Sequence, residues 1–226
     1  MRKPRPSRGP SKATRVERDT MGEMILPADA LYGAQTARAV ENFPISGLCA
    51  HPAFVDATVR VKLAAARVNA RLKLLPAAKA KAIEQAAQEV LDGRWRDQFL
   101  VDVYQAGAGT SHNMNVNEVL ANRACELLGG RRGDKELVDP NDDVNMAQST
   151  NDVVPTAMRL AALDLAPPAV EALQGLADTF QAKARDWDGV VKSGRTHLMD
   201  ATPIRLGQEV SGWAAALRST SPRRSR

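Results

Sequence analysis

A mainly α fold is predicted by three features of the sequence. Apolar residues recur at three- and four-residue spacing over several long stretches. Proline and glycine stand where helices would begin and end. Hydrophobic residues make up 44% of the chain and aromatics only 4%, so alanine supplies much of the apolar content and favours closely packed helices. No stretch alternates polar and apolar residues well enough to predict a strand ladder.

Taken in order, residues 1–14 read as a disordered basic tail, broken by Pro4, Pro6, Gly9 and Pro10. Residues 15–47 contain Gly22, Pro27, Gly33 and Pro44, which predicts loops, room for a short hairpin, and one short helix near 35–41. Pro52 suits a first helical position, and Val55, Val59, Leu63, Ala66 and Ala70 form a stripe that ends near Leu74. A second helix starts at Pro76, runs through Ile83, Ala87 and Val90, and stops at Gly93. A short helix over 96–104 leads into a glycine loop. From Met114, the residues Val116, Val119, Leu120, Ala124, Leu127 and Leu128 describe a further helix closed by Gly129 and Gly130. Residues 131–141 form a charged loop. Asn151 or Asp152 caps a long helix with Pro155 in its first turn, and Pro167-Pro168 breaks or kinks it before it continues to about 185. Thr202 and Pro203 read as the cap and first turn of a last helix through Trp213 and Leu217. The basic residues 218–226 follow without a cap. The organisation expected is a tail over 1–14, an N-terminal domain over 15–148, the start of a helical bundle over 149–217, and an anomalous basic tail over 218–226.

The formal net charge of +5 describes the ends. Residues 1–15 hold six basic residues and 218–226 hold four, with no acid in either; the body is left with 21 bases against 26 acids. An acidic body without aromatics interleaved among basic residues argues against nucleic-acid binding. No apolar run approaches the roughly 20 residues of a membrane span. The N-terminus lacks an apolar signal region, so the cytoplasm is the expected compartment. Cys49 and Cys125 are too few and too far apart for a metal motif, and are expected as reduced, partly buried thiols.

Three segments share one chemistry. Gln105-Ala-Gly-Ala-Gly-Thr-Ser-His-Asn-Met-Asn-Val-Asn-Glu118 packs glycines, hydroxyls, amides and a histidine just before a helical pattern. Gln148-Ser-Thr-Asn-Asp152 and Gly194-Arg-Thr-His-Leu-Met-Asp-Ala201 are of the same type. Neutral donors at a glycine loop entering a helix suit a small anion, because backbone N–H groups and the helix dipole meet it there. Each segment alone has a plainer reading. Ser-Thr-Asn-Asp is more often a helix cap, a Thr-His pair is more often surface, and Gly107-Ala-Gly109 completes neither dinucleotide nor phosphate-loop pattern.

With Arg18-Asp-Thr-Met-Gly-Glu23, Leu31-Tyr-Gly-Ala-Gln-Thr-Ala-Arg38, Asn42-Phe-Pro-Ile45 and Ile204-Arg-Leu-Gly-Gln-Glu209, these blocks resemble, in order, the N-terminal half of the aspartase/fumarase superfamily of lyases. The resemblance covers about residues 15–217. The Gly-Ala-Gly-Thr-Ser and Gln-Ser-Thr-Asn-Asp wording is closer to aspartate ammonia-lyases than to class II fumarases. It implies an N-terminal helical domain followed by the first part of a long central bundle, a homotetramer in the full-length form, and conversion of L-aspartate to fumarate and ammonia with neither metal nor organic cofactor. The alternatives are a class II fumarase and a non-catalytic truncated remnant.

The resemblance also implies roles. Thr110, Ser149, Thr150 and Asn151 would contact the substrate carboxylates and amine, while Thr196 and His197 would complete the pocket. His197 would donate to the carboxylate that becomes an enediolate, or take part in a proton relay; His112 ranks below it, and Asn115 would orient the loop. Two departures stand out. Asp139 occupies a position where fumarases often carry histidine, which puts an accessory carboxylate site there in doubt. The family's Gly-Ser-Ser-x-Met-Pro-x-Lys-x-Asn loop, source of the general-base serine, does not occur in this sequence. The chain by itself is therefore expected to be truncated and inactive.

Overall fold

The computed structural model describes residues 13–220, so most of the N-terminal tail and residues 221–226 lie outside it. The described residues form two compact units, one ending at Ala162 and the other starting at Leu163. Six α-helices dominate, as the sequence predicts, and two antiparallel hairpins accompany them.

In the first unit, β1 (Thr14–Asp19) pairs with β2 (Gly22–Pro27), with Asp19 opposite Gly22 across a tight turn. Helices α1 (Ala34–Asn42), α2 (Pro52–Arg71), α3 (Ala77–Leu91) and α4 (Thr110–Leu127) follow. The predicted stripe of α2 and the apolar face of α3 meet α4 in one core built from Val55, Val59, Ile83, Val90, Val116, Val119 and Leu120. His51 caps α2 by accepting from the Ala53 N–H, and Pro52 takes the first helical position. The start of α5 (Thr150–Asp186) packs Ala157 and Ala161 against Ala57 of α2.

In the second unit, β3 (Val191–Thr196) pairs with β4 (Met199–Arg205), and α6 (Leu206–Thr220) follows. Its buried apolar side chains are small: Ala177, Ala184, Val210 and Ala214. Leu163, Leu176, Val191, Met199 and Trp213 stay exposed. Gly207 is required for packing, because a Cβ there would lie 2.3 Å from the Ala184 carbonyl oxygen.

Several expectations need correction. Residues 96–104 hold only a single 3₁₀ turn at Arg96–Gln98. Helix α4 starts at Thr110, four residues before Met114, because its first buried positions are filled by polar side chains that no apolar pattern reveals. Pro167-Pro168 does not break α5, which continues to Asp186, one residue beyond the end expected. The stretch around both prolines is exposed, so water can serve the carbonyl groups that lose a donor. Thr202 and Pro203 lie in β4, not in a helix. That hairpin is exposed on nearly every residue, which removes the two-residue periodicity that marks a half-buried strand. Helix α6 continues three residues past Leu217, into the stretch expected to be tail. Both cysteines are free, yet Cys49 is exposed and only Cys125 is buried.

The Tyr-Gly-Ala-Gln-Thr block serves as structure. Glu118 of α4 accepts N–H groups from Gly33, Gln35 and Thr36 at 2.9–3.0 Å, so a buried carboxylate closes the open N-terminus of α1. Gly33 has no room for a side chain: a Cβ would sit 2.6 Å from Glu17 Oε2 and 2.7 Å from Glu118. Gly33→Ala is therefore expected to lower unfolding stability by about 1–3 kcal/mol, the usual cost of overpacking a core. Urea denaturation of the two proteins checks this, and equal midpoints would contradict it.

Candidate functional site

The glycine loop sets the start of α4. Ala108 and Gly109 both take left-handed backbone angles, with φ of 60° and 77°. A Cβ on Gly109 would also meet Val154 Cγ2 at 3.0 Å. Val154 lies one turn into α5, so glycine here lets the start of α4 approach that of α5 closely. Gln105 Oε1 accepts the His112 N–H at 2.6 Å and covers one of the donors that a helix start leaves without an internal acceptor.

The second helix start is built by Ser149, whose hydroxyl accepts the Asn151 N–H at 3.2 Å while its carbonyl accepts from Asp152 and Val153. The cap is thus Ser149, upstream of the Asn151 or Asp152 expected. Thr150 is half-buried, and its Oγ1 accepts from Asn113 Nδ2 at 3.1 Å. Asn113 is one helical turn along α4 from Thr110. The structure therefore brings Thr110, Ser149, Thr150 and Asn151 to a pair of adjoining helix starts, where Thr110, Ser149 and Asn151 are exposed. Each helix start carries partial positive charge and is lined by uncharged donors, an arrangement suited to an anion.

Beneath these residues runs a buried polar network. Asn113 Nδ2 also donates to Asn145 Oδ1 at 3.2 Å, and the same oxygen accepts from Lys62 Nζ at 2.6 Å. Lys62 is fully buried, and that burial pulls its amine down to about 7. Beside it, Thr58 Oγ1 gives its proton to the Phe54 carbonyl at 2.8 Å, so its contact with His112 Nε2 at 2.9 Å makes the histidine the donor. Phe54 stacks on the His112 ring with centroids 4.4 Å apart. Burial first, and then the nearby Lys62 charge, lower His112 to about 4, so it is neutral at physiological pH. Asn115 also lies inside, accepting the Leu100 N–H and donating to the Gln98 carbonyl, which fixes the segment before the glycine loop.

Thr196 and His197 belong to the second unit, at the tip of the β3–β4 hairpin, and both are exposed. The turn consists of His197 and Leu198, with φ of 52° and 61°. A two-residue turn of this kind usually takes Asn-Gly; non-glycine residues there cost roughly 1–2 kcal/mol each. Gly194 of the same block sits at a bulge, where a Cβ would lie 2.7 Å from the Thr202 carbonyl oxygen. In the last block, Gln208 Oε1 accepts the Arg205 N–H at the start of α6, and Glu209 pairs with Lys192.

Asp139 also has a local task. Its Oδ1 accepts from the N–H groups of Asn141 and Asp142 and caps a π-helical turn at Pro140–Val144. Among the described residues, no group of three or more His, Cys, Asp or Glu side chains is placed to hold a metal ion. Sequence reasoning missed Lys62, Thr58, Asn113 and Asn145. A signal existed for Lys62: it lies one turn from both Val59 and Ala66, on the buried stripe of α2. Asn145 has none, standing in an irregular loop.

The depressed His112 fixes the sign of one pH effect. Between about pH 6.5 and 4 the unfolded chain holds a proton on this ring and the folded chain does not, so falling pH favours unfolding. The loss is on the order of 3 kcal/mol once pH reaches the lower value. His112→Phe is expected to flatten the decline of unfolding stability over that window; parallel profiles for variant and wild type would contradict it.

The chain matches the profile of a family described as lyase over residues 22–225. It is 54% identical over 205 residues to a class II fumarate hydratase of Ralstonia nicotianae, covering 90% of this chain and 44% of that protein. It is 49% identical over 206 residues to an aspartate ammonia-lyase of Bacillus subtilis, covering 91% of this chain and 43% of that protein. Among solved structures, the fumarate lyase:delta crystallin of Brucella melitensis superposes with a TM-score of 0.85 at 53% identity, over 92% of this chain and 49% of that one. The chain thus spans less than half the length of these relatives, and the blocks at its helix starts, its hairpins and its fold agree on one origin: it belongs to the aspartase/fumarase superfamily of lyases.

Proposed function

We propose that this chain carries the carboxylate-binding portion of an aspartate ammonia-lyase, which converts L-aspartate to fumarate and ammonia. The difficult step is removal of a proton from carbon next to a carboxylate, which places a second negative charge on that group. Fixed donors aimed at the developing charge lower this barrier, and one such donor is worth about 2.7–4 kcal/mol in comparable sites. Thr110, Ser149, Thr150 and Asn151 are the proposed contacts to the substrate carboxylates and amine. Thr196 and His197 are the proposed completing residues, with His197 donating to the carboxylate that becomes the enediolate. The observation that carries the reading is the pairing of two helix starts lined by uncharged hydroxyl and amide groups. Such donors hold a dianion without a tight salt bridge, so the binding can strengthen as charge develops.

Class II fumarase is the second reading, in which water replaces ammonia as the partner of fumarate. The relative named fumarate hydratase, at 54% identity, favours it, while the Gly-Ala-Gly-Thr-Ser wording favours the amine. The whole enzyme is proposed to be a homotetramer. The exposed Leu163, Leu176 and Trp213 support this, since apolar faces of this kind seek helical partners. The 226-residue polypeptide by itself is proposed to be inactive, as it lacks the family's serine loop.

A chimera tests the assignment. The chain replaces the matching segment of the Bacillus subtilis aspartate ammonia-lyase, and fumarate is followed in the ultraviolet from L-aspartate and, separately, from L-malate. The chimera is expected to release fumarate from aspartate, and Thr150→Val and His197→Asn are each expected to lower kcat/KM by about 10²–10³-fold. Full activity in both variants would refute the site, and turnover of malate in place of aspartate would favour fumarase. The unfused chain is expected to show no turnover.

A further inference from the structure

We infer that Lys62 is a positioning residue: through Asn145 and Asn113 it fixes the Thr150 hydroxyl as a donor that points out of the protein toward the bound carboxylate. The inference deepens the reading of Thr150 as a substrate contact and rests on it. The Gln148 carbonyl can only accept, so the Asn145 atom facing it at 3.0 Å is the amide nitrogen, and the atom 2.6 Å from Lys62 Nζ is the amide oxygen, to which the lysine donates. Because Asn145 presents oxygen, Asn113 must present its nitrogen, and the two protons of that nitrogen go to Asn145 Oδ1 and Thr150 Oγ1. Thr150 therefore accepts from inside, which leaves its own proton for a group outside.

Asn113 has a second amide orientation open to it. Its Oδ1 is buried and meets no partner among the described residues; a flipped amide would offer that oxygen to the Thr150 hydroxyl and take the nitrogen away from the Asn145 and Thr150 acceptors. A flip would turn the threonine proton inward and present a lone pair to the incoming carboxylate. The Asn145 oxygen opposes the flip, held from behind by Lys62 and by the contact of its own amide nitrogen with the Gln148 carbonyl. A buried lysine is costly to keep, and no carboxylate partners it among the described residues; a neutral apolar residue would fill the same stripe of α2 more cheaply. The buried amine serves orientation, three side chains away from the ligand.

Calorimetric titration of the whole chain with fumarate, for wild type, Lys62→Met, Thr150→Val and the double variant, tests the inference. Thr150→Val and Lys62→Met are each expected to weaken binding about tenfold, and the double variant is expected to be no weaker than either single one, since both remove the same outward donor. Multiplying losses, or unchanged affinity in Lys62→Met, would overturn the inference while leaving Thr150 as a contact. Unchanged affinity in Thr150→Val, or no binding by wild type, would sink the reading of the site and the inference with it. Should Lys62→Met fail to fold, Asn145→Leu interrupts the same chain without touching the lysine. It is expected to show the same loss and the same lack of additivity with Thr150→Val, and unchanged affinity there would equally overturn the inference.

Discussion

Helix α4 is buried along nearly its whole length, and yet its first half is written in histidine, asparagine and glutamate. His112, Asn113, Asn115, Asn117, Glu118 and Asn122 are all inside. A buried polar group without a partner costs about 1–3 kcal/mol, so most of these polar atoms have a specific neighbour; the Oδ1 atoms of Asn113 and Asn117 meet none among the described residues. Those neighbours organise the first unit. Glu118 holds the start of α1, Asn115 holds the segment 98–100, and Asn122 reaches the Leu31 carbonyl. Asn113 ties α4 to the start of α5. An apolar helix in this place would pack as tightly but would not dictate which loop lies where.

The same constraint bears on the anion site proposed at the starts of α4 and α5, whose lining positions Thr110, Ser149, Thr150 and Asn151 carry no cation. Two helix starts supply partial positive charge and N–H groups, while hydroxyls and amides supply direction. The lysine amine sits below, where Lys62 donates to Asn145 and does not face the solvent. In the proposed site, electrostatic attraction and geometric control are thereby separated: helix ends attract, and the buried network aims. The strained His197–Leu198 turn in the second unit is a different kind of device. It holds a histidine at the tip of a hairpin by backbone angles that cost energy, a cost usually met where position matters more than stability.

Much of this was legible in the sequence. The stripes of α2 and α3, bracketed by Pro52, Pro76 and Gly93, mark helices because burial and helix geometry share one period. The blocks around Thr110 and Ser149 point to one polar region because neutral donors gather there at helix starts. What stayed hidden was hidden for physical reasons. The first turns of α4 bury polar residues, so they carry no apolar signal. The β3–β4 hairpin buries almost nothing, so it has no alternation. Pro167 and Pro168 lie in an exposed stretch of α5 that tolerates lost donors. Lys62 looks like one more surface lysine until its place on the stripe of α2 is weighed, and Asn145 gains its meaning only from the atoms around it.

The central claim is that the adjoining starts of α4 and α5 form a cradle for a dicarboxylate. The most direct measurement is an amide-resolved NMR titration of the chain with succinate, an unreactive diacid of the same length as fumarate. The largest shifts are expected at the backbone N–H groups of residues 110–112 and 149–152, saturating together along one binding curve. Shifts concentrated elsewhere in the first unit, or none at any concentration, would contradict that claim.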